Sequence, residues 1–513
     1  MLSFAASGLA LHLYARVETP GELLGFALFV PWLAVLDRAT SARASLVSGA
    51  WMSAVFALSV FAWFGTAMAG YADAPAWLGI ALLLLFAPLL QPQLLVFAWV
   101  RHLAGSPQAC GFAAVRRALA GACAYVAAEW LLPRLFGDTL GHGLHPSLWL
   151  RQGADLAGPP GLTLALLLAN EAVLRALRDW RRAARPAATA LAIAGTLAGY
   201  GALRLADLRA RAEPRVLLRA GLVQADLSRY ARLRDQLGSY DAAVRILAEH
   251  FELSERALAR GPLDLIVWPE TVYPTTFGAP KSEDGAELDR AIAGFAALHR
   301  VPLVFGAYDV EKGAEYNAAF FLAPGGEYDV YRKQALFPLT ERVPAWLDSP
   351  GLRRLLPWLG TWRSGGGPRV LELALAGGRA LRAGTLICYD AVDPGLARAS
   401  AREGAELLLA LSNDSWFDEG SGPRLHLVVS AFRSVETRLP QIRVTNTGIS
   451  AAIDAEGTLL GALDVHERDA LVVDVPAGPG ASTLAKRWGD WLGPVSLCVA
   501  ALLLLARRLE ARR

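Results

Sequence analysis

The sequence predicts a multi-span α-helical membrane bundle, an α/β domain that follows it, and one C-terminal transmembrane helix. Two observations lead to this fold class. First, 54% of the 513 residues are hydrophobic and only 19% are charged, whereas soluble domains have about 25% charged residues. Second, the hydrophobic excess lies before residue 206 and after residue 491, with a globular composition between them. The predicted boundaries are 1–210 for the bundle, 211–485 for the α/β domain, and 486–513 for the closing helix and its basic tail.

Seven apolar segments precede the α/β domain, and each is near or somewhat below the roughly 20 residues that cross the hydrocarbon of a bilayer. They cover residues 2–15, 21–36, 45–69, 76–100, 115–136, 160–177 and 187–206. An eighth segment runs from Trp491 to Leu505. Because the N-terminus has neither a basic stretch nor a small-residue cleavage site, we expect the first segment to be retained rather than removed as a signal peptide.

The positions of the basic residues predict how the chain is oriented in the membrane. Arginines follow the second and the sixth segments, surround the connection between the fourth and the fifth, and close the chain, whereas residues 71–76 contain no Lys or Arg. Because basic loops stay in the cytoplasm, the N-terminus is expected inside if every segment spans. The α/β domain follows a seventh span and is then expected outside. The net charge of +3 is too small to indicate a nucleic-acid partner.

The middle of the chain alternates short β-rich runs with helical patterns. An amphipathic helix is predicted over residues 238–260, where apolar residues recur at helical spacing. Strands are predicted over residues 216–223, 265–268, 302–306, 317–322, 407–411 and 441–444. Two sheets packed together and covered by helices are the expected architecture for such a pattern.

Three polar groups stand at the ends of predicted strands: Glu270 in Trp-Pro-Glu, Lys333 in Tyr-Arg-Lys, and Cys388 in Ile-Cys-Tyr. Such groups can converge over one edge of a sheet, where pockets form. Taken singly, each has an ordinary alternative: a solvated glutamate, a surface lysine, or a cysteine buried as a small hydrophobic residue. Their occurrence together favours a catalytic site. The spacing of the four cysteines indicates neither a disulfide framework nor a metal site.

These motifs, in this order, resemble the Glu–Lys–Cys pattern of the nitrilase, or carbon–nitrogen hydrolase, superfamily. Residues 411–417, Leu-Ser-Asn-Asp-Ser-Trp-Phe, and residues 443–450, Arg-Val-Thr-Asn-Thr-Gly-Ile-Ser, resemble those of the apolipoprotein N-acyltransferase family. The layout of a multi-span bundle, an exported nitrilase-like domain and one closing helix is similar as well. The resemblance covers essentially the whole chain and implies an αββα sandwich for the α/β domain.

By this resemblance, Cys388 would be the nucleophile, Glu270 the general base, Lys333 the cation that stabilises the oxyanion, and Glu341 the family's second essential glutamate. The chemistry is consistent with these roles. A thiol with a pKa of about 8.5 is mostly protonated at neutral pH, and a neighbouring carboxylate can accept its proton. An ammonium can donate to a tetrahedral oxyanion. No metal and no organic cofactor is implied.

The resemblance implies a reaction in two halves. Cys388 would take a fatty acyl chain from a phospholipid, and the N-terminal amine of a diacylated lipoprotein would then attack the thioester. The implied location is the inner membrane of a bacterium, with the catalytic domain on the periplasmic side. A monomer is the simplest expectation for a site that receives two membrane-bound substrates in turn.

A Trp-, Leu- and Arg-rich segment, residues 337–362, suits a membrane interface, where aromatic rings lie at headgroup depth. The alternative is a helix that packs these residues into the core; we favour the interfacial arm, because so many Trp residues are unusual in a core. Residues expected to bind substrate are Trp346 and Trp358 in this arm, and Tyr389, Asn413 and Trp416 in the motifs quoted above.

Two other functions remain open. A membrane-tethered amidase would use the same three groups with water as acceptor, and a non-catalytic scaffold would retain the domain for binding alone. An ion transporter is a weaker alternative, because Glu129 and Glu171 are the main charged residues within the segments. One departure from the family concerns Asp390, which stands where the family usually has Glu, so a contact beside the nucleophile is expected to differ.

Overall fold

The computed structural model describes residues 1–211, 215–227, 230–375, 380–417 and 420–512. The chain forms two compact units. The first is helical and comprises Met1–Ala212, Glu419–Val428 and Thr483–Arg513. The second is an α/β unit and comprises Glu213–Asp418 and Val429–Ser482.

The N-terminal part of the first unit consists of helices joined by loops and short 3-10 turns. They are α1 (Leu2–Tyr14), α2 (Val30–Leu36), α3 (Ala42–Tyr71), α4 (Ala76–Leu90), α5 (Pro92–Ala104), α6 (Gly111–Leu131), α7 (Ala154–Arg178) and α8 (Ala184–Ala210). Helix α4 ends at Gln91, whose φ of −128° and ψ of 55° are not helical. The α conformation is disfavoured before a proline, and Pro92 therefore separates α4 from α5.

By length and apolar composition, four helices in the described residues could cross a membrane, or five if α4 and α5, which meet at a 46° bend, form one span. The four are Ala42–Tyr71, Leu150–Arg178, Ala184–Ala210 and Leu492–Glu510. This is fewer than the predicted seven segments plus one. Helix α1 has 13 residues and α2 has 7. At about 1.5 Å per residue, 13 residues extend about 20 Å, which is short of the ~30 Å of hydrocarbon.

Several buried charged side chains within the described part of the helical unit are paired. Buried Arg101 donates to Asp37 Oδ1 at 2.5 Å and to Glu171 Oε2 at 3.0 Å. Glu129 accepts from Thr139 Oγ1 at 2.9 Å and forms an ion pair with Arg134 at 3.1 Å. Both glutamates noted in the sequence therefore have structural partners. This removes the main support for the transporter alternative, because such charges are costly to bury without partners.

The strands of the second unit include every run predicted from the sequence. They are β1 (Val216–Gln224), β2 (Leu265–Val267), β3 (Tyr273–Thr276), β4 (Leu303–Glu311), β5 (Ala314–Leu322), β6 (Tyr328–Arg332), β7 (Val370–Ala374), β8 (Ala380–Ile387), β9 (Leu407–Ser412), β10 (Gln441–Thr445), β11 (Ser450–Ile453), β12 (Leu459–Leu463) and β13 (Asp469–Ala477). In the described residues, seven strands form one sheet in the order β13–β1–β2–β4–β5–β6, with β3 paired to β4. The other six form a second sheet in the order β12–β11–β10–β9–β8–β7.

Helices connect the strands of this unit. They are α9 (Tyr230–Leu237), α10 (Ser239–Leu258), α11 (Glu283–His299), α12 (Pro350–Leu355), α13 (Pro394–Arg402) and α14 (Gly422–Thr437), of which the residues from Val429 belong to this unit. Helix α10 agrees with the predicted helix over 238–260. Helix α11 begins at Ser282, whose Oγ accepts from the Gly285 N–H at 3.1 Å, as N-cap residues do.

Three apolar layers confirm the predicted αββα sandwich. Between the sheets, Leu222 and Val304 of the first sheet and Leu411 of the second belong to one buried cluster. On the outer face of the first sheet, residues of α10 and α11 pack around Trp268. On the outer face of the second sheet, α13 packs through Ala397. The central strands are therefore buried on both faces, which accounts for their continuous apolar runs.

The central strands run parallel, and this brings their carboxyl ends together. Strand β2 pairs parallel with β1 and β4, and β9 pairs parallel with β8 and β10. Ile387 lies opposite Leu411 in the register of β8 and β9. The residues that follow β2, β8 and β9 are therefore placed for a common site, as expected at the carboxyl edge of parallel strands.

The chain closes with two helices of the first unit, α15 (Leu484–Trp488) and α16 (Leu492–Glu510). Helix α16 packs on α5 and α6, where Ala500 joins a cluster that includes Val100, Ala104 and Ala120. The predicted C-terminal transmembrane helix is long and apolar enough to cross a membrane.

Candidate active site

Cys388 directly follows β8 and opens a 3-10 turn that ends at Val392. Its φ of 48° lies in the left-handed region, which is uncommon for residues other than glycine and frequent at functional sites. Burial raises the pKa of the Cys388 thiol well above its usual value, the Glu270 charge raises it further, and the Lys333 charge opposes this. The thiol is therefore protonated at rest and needs a base to become a nucleophile.

Glu270 lies three residues beyond the end of β2 and is buried, with 6% of its surface exposed. Its Oε1 accepts from Asn317 Nδ2 at 2.7 Å and from Lys333 Nζ at 3.0 Å. Its Oε2 accepts from the Asn413 N–H at 3.1 Å. Three donors thus point at the carboxylate and fix its position. Oε2, with a single donor, keeps the greater capacity to accept a proton.

Lys333 follows β6 and is almost fully buried. Its Nζ lies 3.0 Å from Glu270 Oε1 and 2.7 Å from Glu341 Oε1. Burial acts to lower the pKa of Lys333, but the two carboxylates outweigh it and raise that pKa well above its usual value. The side chain therefore stays an ammonium. Two of its three N–H groups are directed at carboxylates. Among the described residues no further partner of Nζ is found, which leaves the third N–H for another acceptor.

Glu341 is held by a loop that folds back on itself. Its Oε2 accepts from the Phe337 N–H at 2.7 Å, and its carbonyl accepts from the Trp362 N–H at 3.0 Å. Gly360 packs directly against this loop, since a Cβ at that position would lie 2.4 Å from the carbonyl carbon of Glu341 and 2.4 Å from the oxygen of Thr340. Only glycine fits such a close approach.

Aromatic rings gather beside these polar groups. The ring of Phe337 lies edge-on to Tyr389, at 5.0 Å between centroids, and to Trp416, at 5.3 Å. Two of the residues predicted to bind substrate are thus brought together. Asn413 contributes differently: its backbone N–H binds Glu270, and its Oδ1 accepts from Asn446 Nδ2 at 3.1 Å.

The other two predicted substrate residues lie on the segment around α12. Trp346 is 85% exposed and Trp358 is half-buried. Helix α12 has no buried residue within its described range. The alternative that this helix packs into the core is therefore not supported, and the interfacial arm stays a prediction.

Asp390, flagged in the sequence only as a departure from the family, connects the nucleophile to the lysine. Its Oδ1 accepts from the N–H groups of Gln334 and Ala335 at 3.0 and 2.6 Å. Its Oδ2 accepts from Tyr331 Oη at 2.9 Å and from the Ile387 N–H at 3.0 Å. Burial raises the pKa of Asp390 to about 6, although these hydrogen bonds oppose the shift. The carboxylate thus ties the backbone after β6 to the end of β8.

Sequence reasoning missed Asn317, whose amide donates to the base Glu270. The signal that could have identified it is a polar residue in the buried run of β5, which continues Ala-Ala-Phe-Phe-Leu. A buried polar side chain requires a partner, and the partner here is 47 residues away. Together these groups form a site with a protonated thiol, a carboxylate and a fixed ammonium, which can carry out acyl transfer through a thioester.

Both parts of the chain are similar to known proteins. Residues 219–482 match the carbon-nitrogen hydrolase family, and residues 10–172 match the apolipoprotein N-acyltransferase N-terminal domain. Apolipoprotein N-acyltransferase from Geobacter metallireducens is 30% identical over 72% of this chain and 70% of that protein. The one from Bradyrhizobium diazoefficiens is 30% identical over 81% of each.

Among solved structures, the carbon-nitrogen hydrolase from Helicobacter pylori G27 is 18% identical, with a TM-score of 0.37 over 52% of this chain and 90% of that one. The family relatives and the long apolar helices identify a membrane protein. The matches to both parts of the chain show that it belongs to the apolipoprotein N-acyltransferase family, a family of enzymes within the carbon–nitrogen hydrolase superfamily.

Proposed function

We propose that this enzyme transfers a fatty acyl chain from a phospholipid to the N-terminal amine of a diacylglyceryl-cysteine lipoprotein, through a thioester on Cys388. The observation that carries the proposal is the ammonium of Lys333, buried between Glu270 and Glu341. Such a cation is already oriented for the negative charge that develops on a carbonyl oxygen during acyl transfer. The name shared by the relatives, apolipoprotein N-acyltransferase, supports a lipoprotein as the acceptor.

The first half-reaction loads the enzyme. Glu270 Oε2 takes the proton of the Cys388 thiol while the sulfur attacks the carbonyl carbon of a phospholipid ester. The resulting oxyanion accepts a hydrogen bond from the remaining N–H of Lys333. When the intermediate collapses, the bond to the glycerol oxygen breaks, and Glu270 returns the proton to that oxygen. A lysophospholipid leaves, and the acyl chain stays on the sulfur.

The second half-reaction transfers the acyl chain. The neutral amine of the lipoprotein attacks the thioester carbonyl, Lys333 again stabilises the oxyanion, and Glu270 takes the amine proton. The carbon–sulfur bond then breaks, and the sulfur regains a proton from Glu270. The enzyme returns to its starting state with an amide formed. Glu341 fixes the position of Lys333 throughout, because its Oε1 accepts from Nζ at 2.7 Å.

The aromatic groups serve the two lipid substrates. Tyr389 and Trp416, with Phe337 between them, form an apolar surface for the acyl chain and exclude water that would hydrolyse the thioester. Trp346 and Trp358 belong to an arm that lies at the membrane interface, where exposed Trp side chains are stable at headgroup depth. The side chain of Asn413, whose Oδ1 accepts from Asn446 Nδ2 at 3.1 Å, is assigned to substrate binding as well.

The cellular arrangement is part of the same proposal. The bundle 1–210 and the closing helix of 486–513 lie in the inner membrane of a bacterium, and the catalytic domain 211–485 lies on the periplasmic side. The Arg-rich connections support this orientation when α6, whose 21 residues extend about 31 Å, is counted as a span. One chain suffices for the reaction, because both substrates reach the same sulfur in turn.

Intact mass spectrometry of the detergent-purified protein, incubated with phosphatidylethanolamine, tests the proposal. The wild type is expected to gain the mass of one fatty acyl chain and to lose it when a diacylated lipopeptide is added. Cys388→Ala should gain nothing, and Cys498→Ser, which removes an exposed thiol, should behave as the wild type. Absence of an adduct with unconsumed lipid would contradict the proposal, and release of fatty acid to water alone would favour the hydrolase.

A further inference from the structure

Two sequence motifs near the site contain residues without a role in the mechanism above: Asp414, in the motif of residues 412–417 at the end of β9, and Arg443, in the motif of residues 443–450. The structure joins them through a buried ion pair. Arg443 Nη2 lies 2.8 Å from Asp414 Oδ2, and neither side chain has any exposed surface. A buried pair of this kind is weak support for stability but can impose one specific arrangement on its surroundings.

The pair holds a strained turn in place. Asp414 has a φ of 56°, in the left-handed region, and its Oδ1 accepts from Ser412 Oγ at 2.5 Å. Gly448 lies so close that a Cβ there would be 2.3 Å from Asp414 Oδ2. Because β9 and β10 are parallel neighbours, with Ser412 opposite Thr445, the arginine reaches this turn from the next strand.

Asn413, the residue immediately before Asp414, contacts the proposed general base Glu270. The Asn413 N–H donates to Glu270 Oε2 at 3.1 Å, and Asn446 fixes the Asn413 side chain from the second motif at 3.1 Å. This N–H is the donor on the oxygen that receives the thiol proton in the proposed mechanism. An oxygen of the Asp414 carboxylate also lies within 4.8 Å of the Cys388 sulfur. An uncompensated carboxylate at that distance would oppose formation of a thiolate.

We propose that Asp414 and Arg443 form a positioning pair that holds the Asn413 N–H against Glu270 Oε2, so that the base is oriented toward Cys388. Arg443 has two effects: it fixes the turn through its hydrogen bond, and its charge offsets the Asp414 carboxylate beside the sulfur. Neither residue touches substrate. The inference rests on the assignment of Glu270 as the base and explains why both motifs accompany it in this chain.

The rate at which iodoacetamide alkylates Cys388, followed on the Cys388 peptide by mass spectrometry, tests the pair without any phospholipid or lipoprotein. Arg443→Gln is expected to slow alkylation about 10- to 100-fold, because a small displacement of a catalytic group has an effect of that order. The matched control is Arg433→Gln. Arg433 forms a comparably buried pair with Glu436 at 3.2 Å. The Arg433→Gln variant should lower the melting temperature about as much as Arg443→Gln does, but it should leave the alkylation rate within about twofold of wild type.

A second pair of variants separates position from charge and from loss of folding. The double variant Asp414→Asn with Arg443→Gln lets two neutral amides hydrogen-bond, and it should recover much of the rate that Arg443→Gln loses. Gly448→Ala displaces the Asp414 carboxylate without removing a charge, and it should slow alkylation as well. A double variant as slow as Arg443→Gln, or a Gly448→Ala protein with the wild-type rate, would overturn the positioning role.

Glu270→Gln provides the reference that separates this inference from the proposed function. If Glu270→Gln slows alkylation and Arg443→Gln does not, the pair has no positioning role, although Glu270 remains the base. If Glu270→Gln alkylates at the wild-type rate, the assignment of the base fails, and this inference fails with it. Slow alkylation in both variants supports the pair even if the acyl donor is not a phospholipid.

Discussion

Replacing Gly306 with alanine should inactivate the enzyme without removing any catalytic group. Gly306 lies in β4 against the turn that carries Glu270, and its N–H donates to the Pro269 carbonyl at 3.0 Å. An added Cβ would lie 2.4 Å from Thr271 N, 2.6 Å from Glu270 Cα and 2.7 Å from the Pro269 oxygen. All three are backbone atoms, so no side-chain rotation can relieve the overlap.

The structure sets the size of the effect. Ordinary contact begins at 3.4 Å, so Glu270 Cα must move by 3.4 − 2.6, or about 0.8 Å. The three hydrogen bonds of the Glu270 carboxylate, to Asn317, Lys333 and Asn413, measure 2.7 to 3.1 Å. A shift of this size weakens all three. We expect acylation to slow about 100-fold, because displacements near 1 Å have that effect, and the unfolding free energy to fall by about 1–3 kcal/mol from overpacking.

The assay is the time course of acyl-enzyme formation by intact mass spectrometry, with thermal unfolding measured on the same sample. Gly294→Ala is the matched control. Gly294 is exposed in the interior of α11, and a Cβ there would meet nothing within 4 Å. It should stabilise the protein by roughly 0.5–1 kcal/mol and leave acylation unchanged. A Gly306→Ala protein that acylates at the wild-type rate would refute the role given to this close contact.

Three further predictions concern other parts of the chain. The pKa of Asp390 is raised by burial to about 6 from 3.8, so its contribution to stability is present below about pH 4 and is lost as the pH rises through 6. The unfolding free energy of Asp390→Asn relative to wild type should therefore increase by about 3 kcal/mol between pH 4 and 7, measured as a growing difference in melting temperature. A difference that stays constant with pH would contradict this. Trp346→Ser, at an 85% exposed site, should raise the KM for vesicle phospholipid severalfold with no change in melting temperature. The control Leu298→Ser, at a 75% exposed site on α11, should change neither the KM nor the melting temperature. Equal KM values for Trp346→Ser and the wild type would count against the interfacial arm. Arg101→Gln removes the buried cation that pairs with Glu171, whereas Asp37 keeps its ion pairs with Arg117 and Arg178. The uncompensated Glu171 should destabilise the detergent-solubilised protein by about 3–5 kcal/mol, against less than about 1 kcal/mol for the exposed Arg182→Gln. Comparable losses in both variants would argue that the network is not a structural tie.

Local patterns accounted for most of the secondary structure. The predicted strand over 407–411 corresponds to β9 at Leu407–Ser412, and the predicted helix over 238–260 corresponds to α10 at Ser239–Leu258. Both follow from the periodicity of apolar residues within a single segment, which is present in the sequence without any knowledge of tertiary contacts. The arrangement of strands in each sheet was not predictable in this way, because pairs such as β1 with β13 join residues far apart in the chain.

The number of membrane-spanning helices depends on helix length as well as on composition. Apolar composition identified residues 2–15 and 21–36 as segments near or below spanning length, and the helical stretches there, Leu2–Tyr14 and Gly21–Leu36, are shorter than the roughly 20 residues that cross the hydrocarbon. Composition reports whether a segment tolerates an apolar environment. Helix length depends on where turns and prolines interrupt the backbone, and the sequence pattern alone does not resolve this in apolar stretches with few charges.

The sequence by itself determined the fold class, the family, and the residue types available for catalysis, because these depend on composition, local periodicity and short motifs. Only the tertiary structure decided how those residues act together. It placed the Asn413 N–H on one oxygen of Glu270 and two donors on the other, and it made Asp390 the link between two strands. The physical reason is that a hydrogen bond depends on distances of a few tenths of an ångström between residues tens to hundreds of positions apart, and such distances are fixed only when the sheets pack.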